Sequence, residues 1–274
     1  MPAPIVLLTD FGASDPYAAQ MKGAIMRRAG DLPLVDLTHE VEPQNVLQAG
    51  FLLASTLPHF PGGTLYVAVV DPGVGSSRRI VCARFERYGA LVLAPDNGLL
   101  GFPLLLHGPP DHETAIRDCS PAVSRLARAG SVSATFHGRD LFAPLAADLA
   151  NGMAMEDLGD AMDPADLVSP DLPGLVPADQ NPHQSATILH TDRFGNAVLS
   201  LLPEANEPVS GFTLHQPGHA PATVRRAACY ADLGPGELGL LLGSQGFLEL
   251  ALNRDSAARR LGLAPGQILT LIRS

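Results

Sequence analysis

Five short apolar runs near the start of the chain, nearly free of polar interior positions, constrain the fold most. They are IVLLTD (5–10), PLVDLT (33–38), TLYVAVVD (64–71), RIVCARFE (79–86) and ALVLAP (90–95). A strand with one wet face alternates apolar and polar side chains, whereas a run apolar throughout is buried on both faces. Helical stripes lie between the runs. Pro16–Gly30 spaces Ala18, Met21, Ile25 and Met26 as a helix does, opens on a proline suited to a first turn and stops at a glycine. QNVLQAGFLLASTLPHF carries a second stripe ended by Pro58, and GRDLFAPLAADLANG (138–152) a third. Strands alternating with helices predict an α/β domain whose mainly parallel sheet is flanked by helices.

The texture changes near residue 165. DPADLVSPDLPGLVPADQNP (163–182) holds five prolines and little periodicity, which marks a connector. Beyond it no long helical pattern returns. SATILHTD, NAVLSLL, GFTLH, ATVRRAACY, LGLLLGS, FLELAL and QILTLI are short strands separated by Gly, Pro and Asn turns. That density predicts a smaller antiparallel β-barrel. The expected organisation is an α/β domain over 1–168, a proline-rich linker over 169–182 and a β-barrel domain over 183–274. At 274 residues and 46% hydrophobic, the chain can bury the cores this needs.

Charge and composition exclude several classes. A formal net charge of -10, with no Lys/Arg-rich block, argues against nucleic acid as a partner. Cys82, Cys119 and Cys229 are far apart and form no CxxC pair, so neither a zinc knuckle nor a disulfide framework is expected. A reducing cytoplasm is the expected location. MPAPIVLLTDFG has no basic leader and reads as a first strand, and no apolar stretch has membrane-spanning length.

In open α/β sheets, ligands bind beyond the carboxyl ends of the strands, and here those ends are polar. Asp10, the pair His39 and Glu40, Asp71, and the pair Asp96 and Asn97 each close a run, while His137 stands just before a helix. Asp10, Asp71 and His137 are the stronger site candidates, because PDNG around Asp96 is also a plain turn signal. Three chemistries compete. A phosphate loop over VDPGVGSSRR (70–79) lacks a GK[ST] ending and opens on a carboxylate that repels phosphate. A metal hydrolase built on Asp10, His39, Asp71, Asp96 and His137 has suitable donors but no HExxH or HxH spacing. In the third, Asp71, kept ionised by Arg78 or Arg79, activates water with His137 and no metal.

TDFG with Asp15, VDPGVGSSRR, PDNG, FHGRD, DRFGN (192–196) and GSQGFLELALN (243–253) follow one another in an order that resembles the S-adenosylmethionine hydroxide adenosyltransferases, relatives of the fluorinases and chlorinases. The resemblance spans nearly the whole chain and implies an α/β N-domain with a β-barrel C-domain. It implies hydrolysis of S-adenosylmethionine to adenosine and methionine by attack at ribose C5′. It also implies a catalytic Asp71, Arg78 and His137, no cofactor and no metal. For binding it implies Asp10 on the ribose hydroxyls, Phe194 and Tyr230 around adenine, and Asn196 on the base. Asp192 and Ser244 resemble the groups that hold the methionine end. Asp15 and Tyr17 fall where the family's first loop approaches substrate, and Phe136 and Asn253 join the substrate-binding set. The family implies a homotrimer whose sites lie between one subunit's N-domain and a neighbour's C-domain.

The chain also departs from the halogen-transferring relatives. Those enzymes have an uncharged residue where this chain has Asp71, and the fluorinase has a halide-contacting serine where this chain has Gly138. A carboxylate repels halide, so water is the expected nucleophile. Gln245 replaces an arginine of the fluorinase. Two other readings stay open on sequence: a non-catalytic module that binds adenosine or S-adenosylmethionine, and a metal-dependent hydrolase of another nucleoside derivative.

Overall fold

The computed structural model describes residues 3–108, 115–169, 183–203 and 211–273. The chain divides into two compact units, Met1–Pro170 and Asp171–Ser274. Except for Ser169, the linker expected at 169–182 lies outside the described residues.

In the first unit the five apolar runs become β1 (Ile5–Thr9), β2 (Leu34–Thr38), β3 (Leu65–Val69), β4 (Ile80–Phe85) and β5 (Ala90–Pro95). The first helical stripe forms α1 (Tyr17–Ala29), entered at Pro16 and stopped by Gly30 at φ 69°. The second forms α2 (Val46–Thr56), where the Asn45 side chain accepts a hydrogen bond from the Gln48 N–H and so caps the first turn. After β5 come α3 (Gly101–His107), β6 (Ile116–Asp118) and α4 (Ser120–Ala129). A wide π-turn over Gly138–Phe142 then runs into α5 (Ala143–Ala150), and β7 (Ala161–Met162) closes the unit's sheet. The strands β6 and β7 are too short to carry a readable period. The helix α4 does carry a signal, with Pro121 in its first turn and Gly130 after its end.

The sheet order is β2-β1-β3-β5-β4-β6-β7. β2, β1, β3 and β5 are parallel, and β6 shares their direction. β4 runs against both its neighbours, with Ile80 opposite Pro95. The sheet is mainly parallel, as the apolar runs predict, but β4 is reversed. Alternate side chains explain why those runs have so few polar interior positions. Ile5, Leu7, Val67 and Val69 join the core under α1 and α5. Val6, Leu8, Tyr66 and Ala68 join the core under α2 on the other face.

In the second unit the strands are β8 (His183–Thr191), β9 (Ala197–Leu199), β10 (Phe212–His215), β11 (Ala222–Arg226), β12 (Leu238–Leu242), β13 (Leu248–Leu252) and β14 (Ile268–Arg273), with a short α6 (Ala257–Leu261) before the last. They close as a barrel in the order β10-β11-β12-β13-β9-β8-β14. All described pairings are antiparallel except β11 with β12. Each strand sends a side chain to a common core: Ile188, Leu199, Leu214, Val224, Leu240, Leu250 and Leu271 are all buried together. Closure removes the edges that such short strands would otherwise expose. Among the described residues no helix is long and apolar enough to cross a membrane.

Candidate active site

In the first unit the strand order reverses beside β1, with β2 on one side and β3 on the other. Beyond the carboxyl ends of two parallel strands at such a switch point, diverging connections leave a crevice. Asp10 follows β1 directly, and Asp71 lies two residues past β3. The reversal of β4 adds a third contribution. Because β4 is antiparallel, its start lies at this same edge, and the residues before it, Arg78 and Arg79, arrive beside the strand-end carboxylates.

Arg78 Nε donates to both Asp71 oxygens at 2.9 Å, and its Nη2 donates to Oδ2 as well. The same Nη2 lies 3.0 Å from His137 Nδ1. Arginine has only donors, so Nδ1 accepts and the imidazole proton sits on Nε2. The side chains of Asp71 and Arg78 are only 5% and 10% exposed, which keeps water from weakening the pair. Burial pushes the His137 pKa below its ordinary 6.5, and the Arg78 charge pushes it further, so the ring is neutral at pH 7. The arginine also lies over the Phe142 ring, 5.6 Å from its centre.

The loop from Asp71 to Arg78 turns tightly, with Val74 N–H bonded to the Asp71 carbonyl and Ser76 N–H to that of Gly73. Gly75 sits at φ +81°, and a Cβ there would stand 2.4 Å from the Ala134 carbonyl oxygen. This close approach packs the Asp71 loop against the loop that delivers His137. That second loop is braced by Asp140, which accepts from Ser133 N–H at 2.9 Å and pairs with Arg139. Arg139 holds the Asp140 carboxyl below its usual range.

Arg79 pairs with Asp96 at 2.6 Å, and Asp96 also accepts from Val168 N–H, so Asp96 ties strands and chain together as a turn residue would. His39 is buried between Thr9 Oγ1 at 2.8 Å and Asp36 at 3.0 Å, and Asp36 in turn pairs with Lys22. The residues of the metal reading therefore have other partners. Among the described residues no three His, Cys, Asp or Glu side chains gather as a metal site. Asp10 accepts from Gln44 N–H. Phe11, Tyr17 and Phe136 form an edge-to-face trio with ring centres 5.2 to 6.2 Å apart. Asp15 is exposed at the entry to α1.

The second unit holds a cavity of about 670 Å³ lined by Asp192, Phe194, Asn196, Tyr230, Ser244 and Glu249, among others. DRFGN forms the turn between β8 and β9. Asp192 accepts from Phe194 N–H, Asn196 N–H and Asn196 Nδ2 at 2.8 to 2.9 Å. That bonding buries Asn196 and leaves the Phe194 ring 79% exposed. Tyr230 is a second exposed aromatic at 46%. Two exposed aromatic rings on one cavity offer faces for a flat ring to stack on. Ser244 is exposed in the β12–β13 turn. Asn253 donates to the Leu233 carbonyl at 2.8 Å and is not among the lining residues.

Glu249 escaped the sequence-based expectations. Tyr230 Oη–H donates to Glu249 Oε1, and Glu249 is buried at 6% exposure. Burial raises its pKa and Asp192 nearby raises it further; burial and Glu249 likewise raise that of Tyr230. Its one sequence signal was a lone charge inside the apolar run FLELAL.

Comparison with known proteins follows the same division of the chain. The family model described as the SAM hydroxide adenosyltransferase N-terminal domain matches residues 5–159, and that of the C-terminal domain matches residues 186–270. An (R)-S-adenosyl-L-methionine hydrolase from Thermus thermophilus is 38% identical over 272 residues, covering 98% of this chain and 99% of that protein. A fluorinase from Actinopolyspora mzabensis is 28% identical, covering 98% of this chain and 97% of that protein. The crystal structure of a conserved protein from Thermotoga maritima matches with a TM-score of 0.85 at 30% identity, covering 98% of this chain and 100% of that one.

Proposed function

We infer that this chain, which belongs to the SAM hydroxide adenosyltransferase family, hydrolyses S-adenosylmethionine to adenosine and methionine. The near full-length likeness to the Thermus hydrolase carries this reading. That relative's name specifies the (R) form of the substrate, and we extend the same preference to this chain.

The proposed chemistry is a displacement at C5′. Water oxygen attacks C5′ opposite the sulfur, the C5′–S bond breaks, and its electron pair leaves with sulfur as the neutral thioether of methionine. The water proton passes to the Asp71 carboxylate and from there to solvent. Arg78 holds that carboxylate in place, and the His137 Nε2–H orients the oxygen. The Asp71–Arg78–His137 contacts support this assignment. A sulfonium is already an activated leaving group, so the chemistry needs no metal and no cofactor. The anion at Asp71 opposes a halide in the same place, which supports water over halogenation.

Substrate binding is assigned as the family resemblance implies. Asp10 takes the ribose hydroxyls, Phe194 and Tyr230 stack on adenine, and Asn196 bonds the base. Asp192 and Ser244 hold the methionine end. Asp15, Tyr17, Phe136 and Asn253 complete the set, although Asn253 bonds the Leu233 carbonyl in this structure. The proposed assembly is a cytoplasmic homotrimer with each site between one subunit's N-terminal unit and a neighbour's C-terminal unit.

The test is incubation with each sulfonium epimer, with and without a chelator and with added chloride or fluoride, followed by chromatography. Adenosine and methionine in equal amounts, formed equally with chelator present, are expected. No adenosine from either epimer would overturn the reading. Tight binding without turnover would favour a non-catalytic module, and chelator-sensitive turnover a metal hydrolase.

A further inference from the structure

The PDNG turn (95–98) at the end of β5 has no part in the proposed chemistry, yet it grips the chain on both sides of the Asp71–Arg78 pair. In the sheet β5 lies between β3 and β4. The loop that carries Asp71 and Arg78 leaves β3 and enters β4, so it spans the carboxyl end of β5. The register of β3 on β5 ends at Val67 and Leu93, short of Val70. Beyond it the Asn97 side chain takes over, with Nδ2 donating to the Val70 carbonyl at 2.9 Å. Val70 is buried, so water does not compete for that carbonyl. Asn97 Oδ1 accepts from Leu99 N–H at 3.2 Å, which fixes the amide with its donor toward Val70.

Asp96 grips the other side. Its N–H donates to the Arg79 carbonyl at 3.0 Å, and its Oδ2 accepts from Arg79 Nε at 2.9 Å. Only 3% of the Asp96 side chain is exposed, and Oδ1 is taken by Val168 N–H, so the carboxylate is fixed through both oxygens. Val70 and Arg79 are the chain neighbours of Asp71 and Arg78. The turn thus sets how far apart the two ends of the loop stand. A turn needs only the local Oδ1 contact with Leu99, which aspartate supplies as well as asparagine. The bond across to Val70 is not a turn requirement.

We propose that Asn97 and Asp96 are positioning residues that set the geometry of Asp71 against Arg78 by holding Val70 and Arg79, a proposal that rests on the assignment of Asp71 and Arg78 to S-adenosylmethionine hydrolysis above. Arg78 reaches both Asp71 oxygens at 2.9 Å. Such a fork contact is directional, and a displacement of about 1 Å at a reacting centre costs on the order of 100-fold in rate.

The test is Asn97→Asp in the full chain. It keeps the acceptor that closes the turn and removes the donor to Val70. Adenosine release from S-adenosylmethionine is measured as kcat per binding site, with sites counted by adenosine calorimetry so that unfolded protein does not enter the rate. The expected result is a fall in kcat of about 10–100-fold with KM within about 3-fold of wild type. Asn97→Ala, which adds no charge, should show the same split and decides alone if the aspartate variant fails to fold. Unchanged kcat in Asn97→Asp would make Asn97 a turn residue only and overturn the proposal. So would a loss in Asn97→Asp that Asn97→Ala does not share, since that is the effect of an added charge. If wild type turns over and Asp71→Asn abolishes turnover while both Asn97 variants keep it, this inference alone fails. If wild type releases no adenosine, or Asp71→Asn keeps full activity, the reading beneath it falls too.

Discussion

Asp71 is held through both oxygens by a buried arginine, and that arginine is itself shared with a neutral histidine. Replacing Asp71 with asparagine keeps the shape but removes the proton acceptor. Turnover measured as adenosine release is expected to fall about 10²–10⁴-fold, with adenosine affinity nearly unchanged; retention of more than about a tenth of the activity would remove Asp71 from its role. The pH dependence follows from His137. Its Nδ1 accepts from Arg78, so protonation there breaks the contact. Burial and Arg78 lower its pKa in the folded chain, so between the folded value and 6.5 the unfolded chain binds the extra proton. Its contribution to stability is therefore present above 6.5 and lost as pH falls through the lower folded value. Turnover should fall along an acid limb whose midpoint lies below 6.5, and that limb should disappear in His137→Gln. Although the residues alone left Arg78 and Arg79 both open, Asp71 and His137 were legible as candidates because each sits in a dense local motif. Glu249 was not, because its meaning depends on Tyr230, nineteen positions away, and on the space beside Gly243.

At the level of elements, the candidate site depends on short connections more than on strand interiors. The β8–β9 turn has one residue that tolerates no replacement. Gly195 sits at φ +88°, and a Cβ there would stand 1.9 Å from Ser256 Oγ, the side chain that caps α6. Gly195→Ala combines overpacking with a left-handed alanine, so a loss of about 2–4 kcal/mol in chemical denaturation is expected. Adenosine binding should weaken too, since Phe194 and Asn196 flank it. A variant as stable as wild type would mean that the turn relaxes freely. The five apolar strands were legible because burial on both faces leaves a plain apolar signature. The direction of β4 was not. Both directions place the same alternate side chains in the same two cores, so the apolar pattern is silent on it. That direction is what brings Arg78 to Asp71 rather than to the far edge of the sheet.

For the whole molecule, the proposed trimer has a distinctive test. Asp71→Asn impairs the N-terminal unit, and a Phe194→Ala/Tyr230→Ala double variant impairs the C-terminal unit. If sites form between subunits, co-refolding the two inactive proteins in equal amounts should restore about a quarter of wild-type activity, because that fraction of sites draws both halves from unimpaired units. No recovery, or a monomer with full activity by light scattering, would rule the arrangement out. The two-unit layout was readable from a change of period, from buried runs with helical stripes to short strands and turns. Periodicity records which side chains are hidden from water, and so the sequence by itself determined the α/β sheet, the barrel and the residues at the strand ends. Only the tertiary structure decided which of those residues meet. Whether Arg78 or Arg79 reaches Asp71, and whether Glu249 faces core or cavity, depends on strand order, strand direction and the space left by distant glycines. None of these is a property of any local stretch of chain.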